Sequence, residues 1–273
     1  MSTLKVAVAQ FPATNDIKLN LTKIRTLFEQ ASAQGAELIV LPEASMCSFA
    51  SELDILKKLA REETPGFIHN MMEFAREFNL YVIVGVLMDS SPEVASKDDP
   101  RIENHLLAIN SAGDVLVDYS KIHVYDAFSF KESDKVKPAT LRDDGSHFGL
   151  FQIKDFKIGL INCYDLRFPE LSRALIDLGA NVLTVSANWI AGAFKETHWE
   201  TLLRARAIEN TSYVLASGQT RPKGVGLSMI IDPLGFIIGG CGEAEGVYVS
   251  EINSDRINKV RELVPCLANR RLK

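Results

Sequence analysis

Three residues with side chains suited to acyl-transfer chemistry, Glu43, Lys121 and Cys163, each follow a run that is typical of a β-strand. The runs cover residues 38–41, 115–120 and 158–162. Because active sites in helix-covered sheets collect at the carboxyl ends of strands, an acid, an amine and a thiol delivered there can meet in one pocket. These are the groups that a thiol hydrolase needs.

The surroundings of Cys163 favour a nucleophile. It ends a predicted strand and precedes a helix that begins near Phe168-Pro169, so the turn exposes the sulfur near unpaired backbone N–H groups and a helix N-terminus. Such surroundings lower the pKa of a thiol from its usual ~8.5. A small buried residue at a strand end is the alternative. This plainer interpretation is preferred for the other cysteines, Cys47, Cys241 and Cys266.

Two residues compete for the role of proton acceptor. Glu43 directly follows a fully apolar strand, and a buried carboxylate with a raised pKa is a competent general base. Lys121 then stabilises the oxyanion, because an ammonium beside carboxylates stays charged. His123 is the best placed of the five histidines for a Cys–His pair instead. A purely structural ion pair of Glu43 with Lys121 is the third alternative.

Composition and charge exclude several other classes of protein. For 273 residues with 47% hydrophobic and 24% charged side chains, we expect one α/β domain over residues 1–273. The net charge of −5 argues against a nucleic-acid surface, because phosphate contacts need clustered Lys and Arg. No apolar run approaches the ~20 residues of a membrane-spanning helix. Four dispersed cysteines favour free thiols and a cytoplasmic protein.

Hydrophobic periodicity predicts helices between strands in both halves of the chain. A helix with Ile17, Leu21 and Ile24 on one face separates strands at residues 5–10 and 37–41, and a helix that begins at Thr64-Pro65 precedes a strand at 81–86. After Cys163, a helix ending at Gly179 precedes a strand at 182–185. Further strands are predicted at 105–110, 115–120, 148–153, 156–161, 213–217, 228–231, 236–238 and 247–252.

These elements predict an α/β layered sandwich with a mixed sheet. Thr197-His198-Trp199-Glu200 is typical of a capping box and predicts the start of a further helix. The polar stretch over residues 89–101 predicts an exposed loop.

The three motifs resemble those of the nitrilase superfamily of carbon–nitrogen hydrolases, over nearly the whole chain. The matching segments are Leu41-Pro42-Glu43, Tyr119-Ser120-Lys121-Ile122-His123 and Asn162-Cys163-Tyr164-Asp165-Leu166-Arg167-Phe168-Pro169-Glu170. By this resemblance Glu43 is the base, Lys121 stabilises the oxyanion and Cys163 is the nucleophile. Glu132 is similar to an additional glutamate that orients the substrate, Lys121 or water, and its alternative is a solvated loop charge.

The resemblance also implies a fold and an assembly. The fold is a four-layer α-β-β-α sandwich with two mixed sheets, and the assembly is a homodimer or higher homo-oligomer whose helical layers pack across a two-fold axis. Neither a metal nor an organic cofactor is implied.

The residues after Cys163 narrow the expected reaction. Tyr164-Asp165 resembles the residues that follow the nucleophile in the amidase-like branches, which include ω-amidases and deaminated-glutathione amidases. Nitrilases usually carry Trp directly after the nucleophile. The expected reaction converts a small linear amide to a carboxylic acid and ammonia through a Cys163 thioester. Lys121 and the Tyr164 backbone N–H hold the oxyanion. Hydrolysis of a nitrile or an N-carbamoyl compound at the same site is the alternative, and a protein that kept the fold without turnover is another.

The loops around Phe49, Arg167 and Trp189 are expected to contact the acyl part of the substrate. Arg167 resembles a carboxylate-binding position in carbamoylases, but it can equally pair with Asp165 or Glu170. One departure from the family pattern is Gly226-Leu227-Ser228, where many amidase-like members have Gly-His-Ser.

Overall fold

A computed structural model describes residues 2–89 and 99–272 of the protein. Most of the loop predicted over residues 89–101 therefore lies outside the described residues. The α-helices of the described residues are α1 Ile17–Ala33, α2 Leu53–Glu62, α3 Thr64–Phe78, α4 Pro169–Asp177, α5 Lys195–Asn210 and α6 Ser254–Leu263. None of them is long and apolar enough to cross a membrane.

The strands of the described residues contribute to two larger sheets and one short hairpin. Those of the first half are β1 Thr3–Gln10, β2 Leu38–Val40, β3 Tyr81–Met88, β4 Ile102–Ile109, β5 Val115–Ser120, β6 Asp126–Ala127, β7 Phe130–Lys131 and β8 Val136–Lys137. Those of the second half are β9 Leu150–Ile153, β10 Phe156–Asn162, β11 Val182–Ala187, β12 Tyr213–Gly218, β13 Met229–Ile231, β14 Ile237–Gly240 and β15 Gly246–Asn253.

Both large sheets are mixed and share a parallel centre. The first has the strand order β15-β1-β2-β3-β4-β5 with β8 beside β4, and the second has the order β14-β13-β12-β11-β10-β9. β1, β2 and β3 are parallel, as are β10, β11 and β12, because helices connect them. The outer strands pair mainly antiparallel: β15 with β1, β4 with β3, β13 with β12 and β9 with β10.

Three apolar clusters separate four layers. Side chains alternate along β1, so Ala7 and Ala9 face α1 and α3 whereas Val6 and Val8 face the second sheet. Residues of β10 and β12 complete the cluster between the sheets. A third cluster joins the second sheet to α4 and α5. The layers follow the order α-β-β-α, which confirms the predicted sandwich.

Two helix predictions differ from the structure. The predicted capping box at Thr197 is wrong, because α5 already begins at Lys195. It follows Phe194, which has a left-handed backbone and no side-chain cap hydrogen bond. Helix α2, which buries Leu56 and Ala60, was not predicted. Helix α1 is capped by Asp16, whose side chain accepts a hydrogen bond from the Leu19 N–H.

Gly85 in β3 lets the segment that carries Glu43 lie directly against the sheet. A Cβ atom at residue 85 would stand 2.4 Å from the Ala44 nitrogen and 2.6 Å from the Glu43 Cα. The Gly85 carbonyl accepts a hydrogen bond from the Ser45 N–H at 2.9 Å. A residue without a side chain is therefore required where the Glu43 backbone crosses β3.

Candidate active site

Lys121, Glu43 and Glu132 form a buried ion cluster. The Lys121 Nζ donates to Glu43 Oε1 at 2.8 Å and to the two Glu132 oxygens at 2.9 and 2.8 Å. The exposed fractions of the three residues are 2% for Glu43, 1% for Lys121 and 3% for Glu132. Glu132 is therefore buried against Lys121 and is not a solvated loop charge.

Other donors complete the hydrogen bonding of both carboxylates. The Asn104 side chain donates to Glu43 Oε1 at 2.9 Å and to Glu132 Oε1 at 3.3 Å. The Asn188 backbone N–H donates to Glu43 Oε2 at 2.8 Å, and that of Tyr125 donates to Glu132 Oε2. Each carboxylate oxygen accepts at least one hydrogen bond, so both acids can be held without free movement.

The charges of this cluster shift one another's pKa values. Burial raises the pKa of Glu43, but the Lys121 ammonium and several hydrogen bonds lower it, and the net direction is downward. For Glu132 the net direction is upward, because burial and the charge of Glu43 outweigh the attraction of Lys121. Burial lowers the pKa of Lys121, yet the two carboxylates hold it well above its usual value. The predicted raised pKa of Glu43 is therefore wrong, since Lys121 stabilises its ionised form.

Cys163 occupies a strained turn directly after β10. It begins a short 3-10 helix over Cys163–Arg167, and its φ of 51° lies in the left-handed region. Its thiol and the Glu43 carboxylate line the same cavity, and each shifts the pKa of the other. Burial raises the pKa of the thiol, and the negative charge of Glu43 raises it further despite Lys121. The expected lowering of this pKa is therefore wrong, and the resting thiol is protonated beside an ionised base.

His123 does not take the position of that base. Its ring stacks on Phe168 at 3.7 Å between centroids, and its Nδ1 lies 2.7 Å from Asp165 Oδ1. Within the described residues, the lining of the cavity above Cys163 includes Glu43 but not His123. The geometry gives the thiol a carboxylate partner.

A cavity of about 370 Å³ opens above Cys163. We call Glu43, Lys121, Glu132 and Cys163 its floor. The three residues expected to contact substrate, Phe49, Arg167 and Trp189, all line the cavity, as does Tyr164. Lining residues that the sequence analysis did not single out are Ala50, Tyr125, Phe128, Phe130, Asn188, Ile190, Ala191, Gly192, Ala193, Lys195 and Lys223.

Two cations stand in the wall of the cavity, and we call Arg167, Lys195, Phe128 and Trp189 its mouth. The guanidinium carbon of Arg167 lies 4.7 Å from the Trp189 ring centre, and the Lys195 Nζ lies 4.0 Å from that of Phe128. The Lys195 Nζ also donates to the Tyr125 hydroxyl at 2.9 Å. Burial lowers the pKa of Lys195, and the nearby charge of Arg167 lowers it further.

Neither mouth cation pairs with a carboxylate of the described residues. The Arg167 Nη2 is 3.4 Å from His198 Nδ1, and its buried Nε has no partner there. The proposed pairing of Arg167 with Asp165 is wrong, because Asp165 instead contacts Tyr119 and His123. The mouth therefore presents positive charge to whatever enters the cavity.

The unpredicted residues left little signal in the sequence. Asn104 is fully buried in β4, but it lies between Glu103 and His105, so the sequence showed no sign of its burial. The aromatic residues Tyr125, Phe128 and Phe130 interrupt a polar segment, which is a weak signal. Lys195 looks like any helix-surface lysine. No cluster of three or more His, Cys, Asp or Glu side chains suited to a metal ion occurs over 2–89 and 99–272.

The family model for carbon-nitrogen hydrolases matches residues 5–262. The chain belongs to the carbon-nitrogen hydrolase family. This confirms the family and the enzyme class that the three motifs predicted. The family match spans both sheets and so includes every element that contributes to the cavity.

Relatives of this carbon-nitrogen hydrolase carry amidase names. It is 35% identical over 267 residues to the deaminated glutathione amidase of Escherichia coli O157:H7. The match covers 97% of this chain and 97% of the relative. It is 29% identical over 287 residues to the omega-amidase NIT2 of Bos taurus, covering 99% of this chain and 96% of the relative. The resemblance to amidase-like branches is confirmed.

A crystal structure of the Caenorhabditis elegans NitFhit protein has the same fold. The similarity covers 99% of this carbon-nitrogen hydrolase with a TM-score of 0.86 and 29% identity. The chain spans 66% of that protein's length.

Proposed function

We propose that this carbon-nitrogen hydrolase cleaves a small linear amide to a carboxylic acid and ammonia through a thioester on Cys163. The observation that carries the proposal is that the protonated Cys163 thiol and the ionised Glu43 carboxylate line the floor of one cavity, close enough for the charge of Glu43 to raise the pKa of the thiol. Because this thiol does not ionise on its own, its proton passes to Glu43 as the sulfur attacks the amide carbon.

The proposed reaction has two stages with one base. A C–S bond forms first, and the carbonyl oxygen becomes an oxyanion held by the Lys121 ammonium and the Tyr164 backbone N–H. The C–N bond then breaks, and Glu43 returns its proton to the nitrogen, which leaves as ammonia. Water next attacks the thioester and gives a proton to Glu43, which passes it to the departing sulfur. The acid is released and the thiol is restored.

Glu132 is proposed to hold Lys121 in position. Two of the hydrogen bonds of Lys121 Nζ go to Glu132, and the third goes to Glu43. A cation that is fixed before the reaction stabilises the oxyanion without further reorganisation. Removing one donor of this kind costs about 3–4 kcal/mol of barrier.

The proposed substrate carries an anionic group on its acyl side. The supporting observation is the pair Arg167 and Lys195, which face the cavity without a carboxylate partner among the described residues. A substrate carboxylate can accept hydrogen bonds from both, while Phe128 and Trp189 pack against its carbon chain. The omega-amidase and deaminated glutathione amidase names of the relatives agree with an amide substrate.

The test is ammonia release from ω-amides of dicarboxylates, neutral aliphatic amides, peptidyl amides and nitriles. We expect the ω-amides to be hydrolysed fastest and Cys163→Ala, Glu43→Gln and Lys121→Ala to be inactive. Cys266→Ala is the matched control, because it also removes a free thiol but lies outside the cavity lining. Turnover that survives in Cys163→Ala would refute covalent catalysis at this sulfur.

Further measurements separate the alternatives. Hydrolysis of an N-carbamoyl compound releases carbon dioxide as well as ammonia, and a nitrilase consumes nitriles in the same panel. A Cys–His hydrolase requires His123→Ala to be inactive and Glu43→Gln to be active. A non-catalytic protein forms no acyl adduct on Cys163, which mass spectrometry of the intact protein detects.

We also propose that residues 1–273 act as one domain in a cytoplasmic homodimer. Four free thiols suit a reducing compartment. Apolar side chains remain exposed on or beside the outer helices of the second sheet, including Leu178, Ile208 and Leu263, which suits packing of helical layers between copies. Light scattering should give twice the mass of one chain, and Ile208→Glu should lower it. A monomeric wild type would contradict the dimer.

A further inference from the structure

The carboxylate of Asp165 joins the turn of Cys163 to the segment that carries Lys121. Asp165 is fully buried. Its Oδ1 accepts from the His123 backbone N–H at 2.9 Å and lies 2.7 Å from the His123 ring Nδ1. Its Oδ2 accepts from the Tyr119 hydroxyl at 2.8 Å and from the Asn162 backbone N–H at 3.2 Å.

The partners of Asp165 flank the two reacting groups in the sequence. Tyr119 and His123 stand two positions before and after Lys121, and Asn162 directly precedes Cys163. One rigid carboxylate therefore fixes both segments at the same time. Asp165 itself is absent from the described lining of the cavity, so it acts from behind the floor.

The backbone of Cys163 needs such support. Its left-handed φ is strained in a residue other than glycine and persists only where the surroundings over-determine it. The hydrogen bond from the Asn162 N–H to Asp165 Oδ2 spans this turn. The Asn162 side chain also donates to Asn104 Oδ1 at 3.1 Å, and Asn104 in turn holds Glu43. The strained turn is thereby tied to both parts of the floor.

We propose that Asp165 is a positioning residue that sets the place of the Cys163 sulfur relative to the Lys121 ammonium. It contacts neither the substrate nor the sulfur. Its loss should therefore slow the chemical step and leave substrate binding almost unchanged. The kinetic part of this proposal rests on the proposed function, but its effect on the reactivity of the thiol does not.

The principal variant is Asp165→Asn, which keeps the size of the side chain. Its amide NH2 would face donors that now meet an acceptor, so the turn must shift. A displacement of about 1 Å costs about 100-fold in rate. We expect kcat to fall by about that factor while KM stays within about threefold.

Tyr119→Phe is a milder variant that removes a single donor, and it decides the proposal if Asp165→Asn does not fold. We expect kcat to fall by about tenfold with little change in KM. The kcat of the double variant, with both Asp165→Asn and Tyr119→Phe, should lie within about twofold of that of Asp165→Asn alone, because both changes remove the same hydrogen bond.

Matched controls distinguish positioning from stability. Asp232 is a buried carboxylate that accepts from the Leu234 and Phe236 N–H groups and pairs with Arg256, and it does not line the described cavity. Asp232→Asn should lower the thermal midpoint without changing kcat. Tyr213→Phe is the control for Tyr119→Phe, because the Tyr213 hydroxyl accepts from the Asn253 N–H away from the floor.

A readout without substrate uses alkylation of Cys163 by iodoacetamide, followed by peptide mass spectrometry. We expect Asp165→Asn and Tyr119→Phe to slow it by about tenfold and Asp232→Asn to leave it unchanged. Unchanged alkylation and kcat in a folded Asp165→Asn, or a loss expressed in KM alone, would overturn the proposal. If the wild type releases no ammonia from any amide, the proposed function fails, and alkylation alone then decides the role of Asp165.

Discussion

The floor and the mouth of the cavity differ in whether their charged groups pair with other charged groups of the protein. In the floor, Lys121 is enclosed by Glu43 and Glu132, and every carboxylate oxygen accepts a hydrogen bond. In the mouth, Arg167 and Lys195 lie over aromatic rings, and neither pairs with a carboxylate of residues 2–89 or 99–272.

This difference suggests that the floor carries out the reaction and that the mouth binds the substrate. Charges that are satisfied inside the protein keep the base ionised and the thiol protonated whether or not a ligand is present. Charges without a protein partner are stabilised only by solvent or by a ligand. Changes in the floor should therefore act on kcat, and changes in the mouth should act on KM.

The largest effect is expected for Lys121→Met, which leaves two buried carboxylates without their cation. We expect kcat to fall by about 1,000-fold or more and the free energy of unfolding to fall by about 3–5 kcal/mol. The pKa values of both acids would rise above those in the unfolded chain, so the loss of stability should be greatest at high pH and shrink as the pH falls.

Urea unfolding at pH 5 and pH 8 measures this effect. Lys223→Met is the control, because Lys223 also lines the cavity but its Nζ donates to the Ser48 hydroxyl and lies outside the ion cluster of Lys121, Glu43 and Glu132. A Lys121→Met protein as stable as the control would show that the floor charges do not depend on one another.

The pH dependence of kcat/KM tests the floor in the unmodified enzyme. The pKa of Glu43 is lowered, so its ionised form persists below the usual ~4.3 of a glutamate. Activity should fall tenfold per pH unit only below that value. On the alkaline side kcat/KM for a neutral amide, which does not need the Lys195 charge, should stay level to about pH 9, because the pKa values of Lys121 and Cys163 are raised well above their usual values. An acid limb near pH 6.5 would instead indicate a histidine base.

Arg167→Met tests the mouth. We expect KM for the ω-amide of a dicarboxylate to rise by about tenfold or more, since a hydrogen bond to a charged group is lost. The kcat for that substrate and the kcat/KM for a neutral amide should change by less than about threefold. Arg25→Met, which removes a surface pair with Glu77, is the control. An equal loss for charged and neutral amides would contradict a carboxylate-binding mouth.

The smallest effect is expected for Tyr125→Phe. It removes the acceptor that holds the Lys195 Nζ at 2.9 Å and leaves the aromatic ring in place. We expect KM for the ω-amide to rise by about threefold and kcat to stay the same. Tyr81→Phe, which alters a residue packed between the sheets, is the comparison. A fall in kcat would show that the mouth and the floor are coupled.

The sequence predicted the floor better than the mouth. Glu43, Lys121 and Cys163 follow strands that their apolar runs predicted. The mouth is formed by Lys195 at a helix start and by Phe128 in an irregular segment, where no periodicity fixes the direction of a side chain. Phe49, Arg167 and Trp189 were found because they lie close to recognisable motifs.

The sequence by itself determined which residues end the strands, because period-two and helical patterns are local properties of a chain, whereas the four-layer order was implied by the family resemblance. Only the tertiary structure decided the protonation states and partners. The pKa values of Glu43 and Cys163 depend on Lys121, 78 residues from Glu43 in the chain, and Asp165 bonds to Tyr119 across 46 residues. Electrostatic energy depends on distance in space, which no sequence spacing reveals.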